Sequence, residues 1–318
     1  MNPKADSIKR TSKTLIAAVL PLAAMYLVWG MAVVVMRSLG LLHIPQAIHP
    51  FIIPVSVILF MMIASFVTEI FIVYVDDYLT EIPSLRAFML MWTAVAAITV
   101  YLLTTKAGFK GHAVSGFGTA NLLVFACLCA TWMTARLKQP TELVPVCAVV
   151  ALADLFSVLA GPTKHLAEGI AAYYEKGMEG PPPFTDYILI KITVPGISTP
   201  IPLFGVSDWL ILVFFCSAMV RFGLKDSIGG MGLSAIKERK RLSFYFPVAA
   251  LGLAVAVLSA QTTGLFLPAL PIMVLFFLAH SLWSHEGMRR LSSKEWRLLI
   301  VFSLVMISIL VSALYFRS

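Results

Sequence analysis

The sequence predicts an all-α, polytopic integral membrane protein of about nine transmembrane helices, and three observations carry that prediction. Of 318 residues, 59% are hydrophobic and only 13% are charged, whereas about a quarter of the residues of soluble domains carry charge. Apolar windows of about 20 residues, the length that crosses a hydrocarbon layer roughly 30 Å thick, recur along the whole chain. The basic residues fall between these windows, in segments that are alternately rich and poor in Lys and Arg.

Taken in order, the first five windows cover 14–35, 51–75, 87–104, 117–135 and 143–161. The first follows a basic stretch but is too long for the apolar region of a signal peptide. It also lacks a small-x-small cleavage site, so it reads as a retained span. A hydrophilic stretch from Pro162 to Pro200 comes next. It has an acidic, helix-compatible part through Glu168, Glu175 and Glu179, and then Pro181-Pro182-Pro183. Beyond these, Tyr187–Val194 and Ile197–Leu203 are rich in β-branched residues and flank Pro195-Gly196, which predicts a short hairpin leading into the next helix. Pro200 and Pro202 restrict its pairing to an edge. The sixth window, 201–220, is followed by a basic segment, Arg221–Leu242, expected to be a flexible loop; windows 243–261, 266–283 and 297–316 complete the set.

A net charge of +8 suggests nucleic acid at first sight, but its distribution follows membrane topology. With the N-terminus inside, inner segments hold seventeen Lys and Arg and outer segments seven. That bias predicts a cytoplasmic N-terminus, an outer C-terminus and an outward 162–200 segment. Cys127, Cys129, Cys147 and Cys216 all fall within predicted spans as small apolar fillers. Cys127 and Cys129, two residues apart, point to different helix faces and do not form a metal pair. Gly229, Gly230 and Gly232 match neither phosphate-binding spacing. Neither HExxH nor a Cys/His cluster is present, so no metal or other cofactor is expected.

Of sixteen acidic residues only Glu69, Asp154 and Asp208 lie within predicted spans, and no Lys or Arg lies in a span interior. A carboxylate in hydrocarbon costs at least a few kcal/mol, and no cation is at hand to offset it. Asp154 stands seven residues before the outer end of its window and Asp208 seven after the outer start of the next, so both are expected about 10 Å below the outer surface. Consecutive helices are often neighbours, which would let the two carboxyls face each other. Two such groups cannot both ionise cheaply; one keeps its proton while the other stays basic, a pair able to activate water and protonate a leaving nitrogen. Glu69 and His280 lie near inner helix ends and read as interfacial or structural residues.

Around these acids the chain reads Ala153-Asp154-Leu155-Phe156 and Gly205-Val206-Ser207-Asp208, followed later by Leu267-Pro268-Ala269-Leu270. In order and spacing this resembles the presenilin and signal peptide peptidase family of intramembrane aspartyl proteases, over roughly 143–283. The family carries Tyr-Asp, Gly-x-Gly-Asp and Pro-Ala-Leu on three helices; here Ala153 replaces the Tyr and Ser207 the second Gly. The resemblance implies Asp154 and Asp208 as catalytic residues, Gly205 as backbone clearance, and Pro268, Ala269 and Leu270 as the substrate-shaping segment. It implies transmembrane segments or signal peptides as substrates, with membrane lipid but no nucleic acid as a further partner. The chain then divides into N-terminal helices (1–142), catalytic helices (143–283) and a C-terminal loop with an extra helix (284–318). A proton-coupled transporter or channel, and a catalytically inactive membrane scaffold, are the alternatives, since a carboxyl pair also relays protons.

Overall fold

Long apolar runs satisfy their own backbone hydrogen bonds most simply as helices, and the computed structural model is mostly helical. It describes residues 3–40, 48–106, 108, 111–159, 163–197, 199–229, 231–263 and 268–289, with isolated positions beyond. The expected ninth span, 297–316, therefore lies outside the continuously described residues.

In chain order the helices are α1 (Pro3–Gly40), α2 (His49–Tyr74), α3 (Asp76–Glu81), α4 (Pro83–Thr105), α5 (His112–Thr134), α6 (Leu143–Leu159) and α7 (Thr163–Glu175). A hairpin of β1 (Leu189–Ile192) and β2 (Ile201–Gly205) precedes α8 (Val206–Arg221), α9 (Leu233–Arg239), α10 (Val248–Thr263) and α11 (Ala269–Ser284). Pro is at the start of α2 and α4, where its missing N–H is not needed by the helix.

Among the described residues five helices are long and apolar enough to cross a membrane: Val19–Leu39, Pro50–Tyr74, Pro83–Thr105, His112–Thr134 and Pro140–Val158. These are the first five predicted windows. Helices α8, α10 and α11 have 16 residues each, about 24 Å at 1.5 Å per residue and less than the hydrocarbon thickness. The shortening has a local cause at α8, because the first five residues of the 201–220 window are strand. Ile201 is β-branched and Pro202 cannot donate to a helix ladder.

Helix α5 lies at the centre, packed on α8, α4 and α1. Polar side chains tie it to its neighbours: Thr134 and Ser217 hydroxyls meet at 2.9 Å, Asn121 Nδ2 donates to Thr93 O at 2.9 Å, and Tyr26 donates to Asn121 Oδ1 at 3.1 Å. Such bonds hold helices together where lipid removes the hydrophobic drive. Helices α10 and α11 approach closely at Gly252, where a Cβ would stand 2.7 Å from Met273 Cα.

The segment expected as a flexible loop, Arg221–Leu242, contains α9 and is tied down on both sides. Lys237 Nζ is 3.2 Å from Asp76 and 2.8 Å from Asp77, and Lys240 Nζ is 2.7 Å from Asp77. Apolar Leu233 and Ile236 are buried beneath it, so a sequence that looks merely basic carries one buried apolar face.

Candidate functional site

The hairpin forms as its β-branched residues predict. Leu189 pairs with Gly205, Ile190 with Phe204, Lys191 with Pro202 and Ile192 with Ile201, with an irregularity between Ile190 and Lys191. Gly196 takes φ +79 in the turn, a left-handed conformation that glycine adopts without a Cβ clash. The outer edge of β1 is closed by α5: Thr119 Oγ1 donates to Lys191 O and accepts from Lys191 N, both at 3.1 Å. Below it, Lys191 Nζ meets Asp186 at 2.5 Å and Tyr174 donates to the other Asp186 oxygen at 3.0 Å. The hairpin is thus anchored on its β1 side.

Strand β2 runs directly into α8, and Asp208 is the third residue of that helix. Its Oδ2 accepts the Gly205 N–H at 3.0 Å, one of the donors a helix start leaves unused. A Cβ at 205 would stand 3.2 Å from Ser207 Oγ and 3.7 Å from Asp208 Oδ2. A side chain at 205 would thus crowd Ser207 and touch Asp208.

Asp154 lies five residues before the end of α6. Its Oδ2 accepts the Leu270 N–H at 3.1 Å. Pro268 caps α11 with extended backbone, so Leu270 is in the first helical turn, where N–H groups have no intrahelical acceptor. The start of α11 is the electropositive end of the helix and suits a carboxyl group. Of Pro268, Ala269 and Leu270, it is Leu270 that meets Asp154, through its backbone N–H, while its side chain is buried.

The expected direct apposition of α6 and α8 is not what joins the acids. Helix α6 packs mainly on α11, and α11 packs in turn on α8. Asp154 is bonded to the start of α11, and α11 packs on α8, the helix that begins with Asp208. Asp154 and Asp208 are half-buried, while Ala153 and Ser207 beside them are exposed. The equal seven-residue depth also changes: Asp208 is near the very start of its helix because the preceding residues are strand.

Other acids are held differently. Glu69, expected at the membrane interface, is fully buried; Oε1 accepts the Ser243 N–H at 3.0 Å and Oε2 has no partner among the described residues. His280 and His285 place Nε2 at 3.3 and 2.9 Å from Lys225 O. Asp226 is buried and bonded to the Tyr245 hydroxyl and, at 3.4 Å, to Leu233 N. Burial pushes its carboxyl up to about 6, with those two bonds acting in the opposite direction. Among the described residues no three His, Cys, Asp or Glu side chains form a group that could hold a metal ion.

Sequence reasoning missed the Asp186–Lys191–Tyr174 anchor and the Asp226–Tyr245 pair. A lone Lys191 between apolar strand residues was a signal for the first; nothing local marks the second. Compared with family models, with curated proteins and with solved structures, the chain matches none.

Proposed function

We propose that the protein is an intramembrane aspartyl protease of presenilin-like fold, with Asp154 and Asp208 as its acid/base pair. The observation that carries the reading is the meeting of three separate segments. Asp154 near the end of α6 bonds to the Leu270 amide at the start of α11, α11 packs on α8, and α8 opens with Asp208 bonded to the Gly205 amide, so α11 is the common neighbour of the two acid-bearing helices. No cation bonds to either carboxyl among the described residues.

In the proposed reaction one carboxyl, as base, takes a proton from a water while that water attacks the scissile carbonyl carbon. The other, protonated, donates to the carbonyl oxygen, giving a tetrahedral diol. Collapse of the diol breaks the C–N bond as the protonated carboxyl gives its proton to the leaving nitrogen and the other, a carboxylate, takes a proton from a diol hydroxyl, leaving the acid product. A transmembrane helix conceals its peptide bonds, so the substrate must unwind locally. Strand β2, whose partner β1 is already covered by α5, is the side on which an unwound segment would add as a strand. Gly205 and the Pro268–Leu270 turn flank that path. The orientation that accompanies this reading is a cytoplasmic N-terminus, nine spans and the 162–200 segment outside.

The test is cleavage of a reconstituted single-span peptide by the purified chain. Hydrolysis that stops in both Asp154→Ala and Asp208→Ala supports the proposal. Hydrolysis that persists in both rejects it, and ion or solute flux into sealed vesicles without hydrolysis would favour a transporter.

A further inference from the structure

On another face of the molecule, α1, α4 and α5 enclose a cleft of about 330 Å³, within the range of small-molecule sites. Its wall on α1 is formed by Tyr26, Gly30, Val33, Val34 and Arg37, a stripe at helical spacing. Gly30, Val34 and Arg37 are exposed, so the cleft opens sideways to the surroundings of the helices. From α5, Gly116 permits close approach: a Cβ there would stand 2.7 Å from Val33 Cγ2.

The cleft's dimensions and charge match one kind of occupant. Among the described residues that line it Arg37 alone is charged, and it stands at the hairpin end of α1, level with the start of α5. From Arg37 down to Tyr26 is about 16 Å at 1.5 Å per residue, and one leaflet of hydrocarbon is about 15 Å deep. The lining between is apolar except at Tyr26 and two Trp side chains, and Tyr26 is already engaged by Asn121. An apolar slot one leaflet deep with a guanidinium at its headgroup end suits a chain tethered to an anion.

We infer that this cleft is a binding site for a phospholipid of the leaflet on the hairpin side, with one acyl chain in the slot and its phosphate diester on Arg37. Guanidinium donors meet two phosphate oxygens at once, which fixes the headgroup as well as attracting it. The described lining residues are on α1, α4 and α5, none of which carries either aspartate, and the inference is independent of whether they hydrolyse peptides.

Gly30 supplies the test, because nothing lies within 4 Å of the position a Cβ would take. Gly30→Leu fills the slot without a backbone clash and raises helix propensity. Gly30→Ala leaves most of the space, and equal melting temperatures check that the variants are folded. Native mass spectrometry of the delipidated full chain, titrated with a phospholipid or with diacylglycerol of the same acyl chains, measures the binding. The expected result is one tightly bound phospholipid in wild type and Gly30→Ala, and at least about tenfold weaker binding in Gly30→Leu. Arg37→Gln should weaken phospholipid about tenfold while leaving diacylglycerol unchanged. Wild-type phospholipid affinity in either Gly30→Leu or Arg37→Gln overturns the inference.

Discussion

Acidic residues at the two ends of the helical assembly are held by opposite means. At the hairpin end, Asp154 and Asp208 are bonded to the backbone amides of Leu270 and Gly205. At the other end, Asp76 and Asp77 are neutralised by Lys237 and Lys240, with Arg86 3.8 Å from Asp76. A carboxylate paired with lysine has its charge spent on a fixed partner and serves to fasten one segment to another. A carboxyl held by an amide keeps a free oxygen for water or substrate, and in a pair it can pass protons. Asp226 refines the contrast: it too has no cation, but it is 3% exposed and closed in by Tyr245 and Leu233. Freedom from a cation and access are both needed for chemistry.

The largest expected difference separates the two ends directly. Asp154→Asn and Asp208→Asn should each lower peptide cleavage by about 10²–10⁴-fold, whereas Asp76→Asn should leave it within about twofold. Equal losses in all three would erase the distinction between catalytic and fastening acids.

Gly205→Val probes the clearance at the hairpin end. A Cβ there would crowd Ser207 Oγ at 3.2 Å and lie in ordinary contact with Asp208, and the γ-methyls of Val reach further; displacement of a reacting group by about 1 Å costs about 10²-fold in rate. Cleavage should fall by about that factor while the melting temperature stays near that of wild type. A purely structural glycine would instead lower the melting temperature.

How much of this was legible from residues alone follows from what each signal depends on. The first five spans were readable because hydrophobicity over about 20 residues is a local property. The hairpin was readable from β-branched runs around Pro195-Gly196. The two acids and the Pro268–Leu270 turn were readable because unpartnered charge and proline are conspicuous in apolar sequence. Their joining through α11, rather than by direct contact of α6 with α8, was not, since it depends on long-range packing. The start of α8 was also misread: Ile201–Gly205 is apolar enough to pass for helix, and only pairing with β1 makes it strand. The fastening of 221–242 went unseen because Asp76 and Asp77 are some 160 positions away from their lysines in sequence.

A smaller effect sharpens the Asp226 exception. Removing the hydroxyl with Tyr245→Phe leaves a buried carboxyl short of a donor and should destabilise the protein by about 1–3 kcal/mol. Because folding raises the Asp226 value to about 6, its contribution is greatest below the ordinary carboxylate range and is lost as pH rises through about 6. Hydrogen-exchange protection of 224–233 should therefore increase as pH is lowered from 7 to 5, and a decrease would contradict the assignment.

The smallest effect concerns the lysine-paired end. Burial pushes the Asp77 carboxyl up, but hydrogen bonds and charge from Lys237 and Lys240 outweigh it and hold the group below its ordinary value. That contribution is complete above about pH 4, the ordinary carboxylate value, and fades only as pH falls through the lowered one. Lys237→Met should cost no more than about 1 kcal/mol, since these groups are partly exposed. Limited proteolysis within 233–241 should accelerate modestly in that variant at pH 7, with cleavage of substrate peptide retained.

Cross-linking in the native membrane tests most directly that Asp154 and Asp208 share one water-reached site. In a chain with its four cysteines replaced, Asp154→Cys combined with Asp208→Cys should be bridged by a short water-soluble dithiol-reactive reagent. Bridging should be as efficient as for Asp77→Cys with Lys240→Cys, whose native charged groups lie 2.7 Å apart and are about half exposed. If that control pair bridges and the 154/208 pair does not, the two carboxyls do not meet and the proposed chemistry fails.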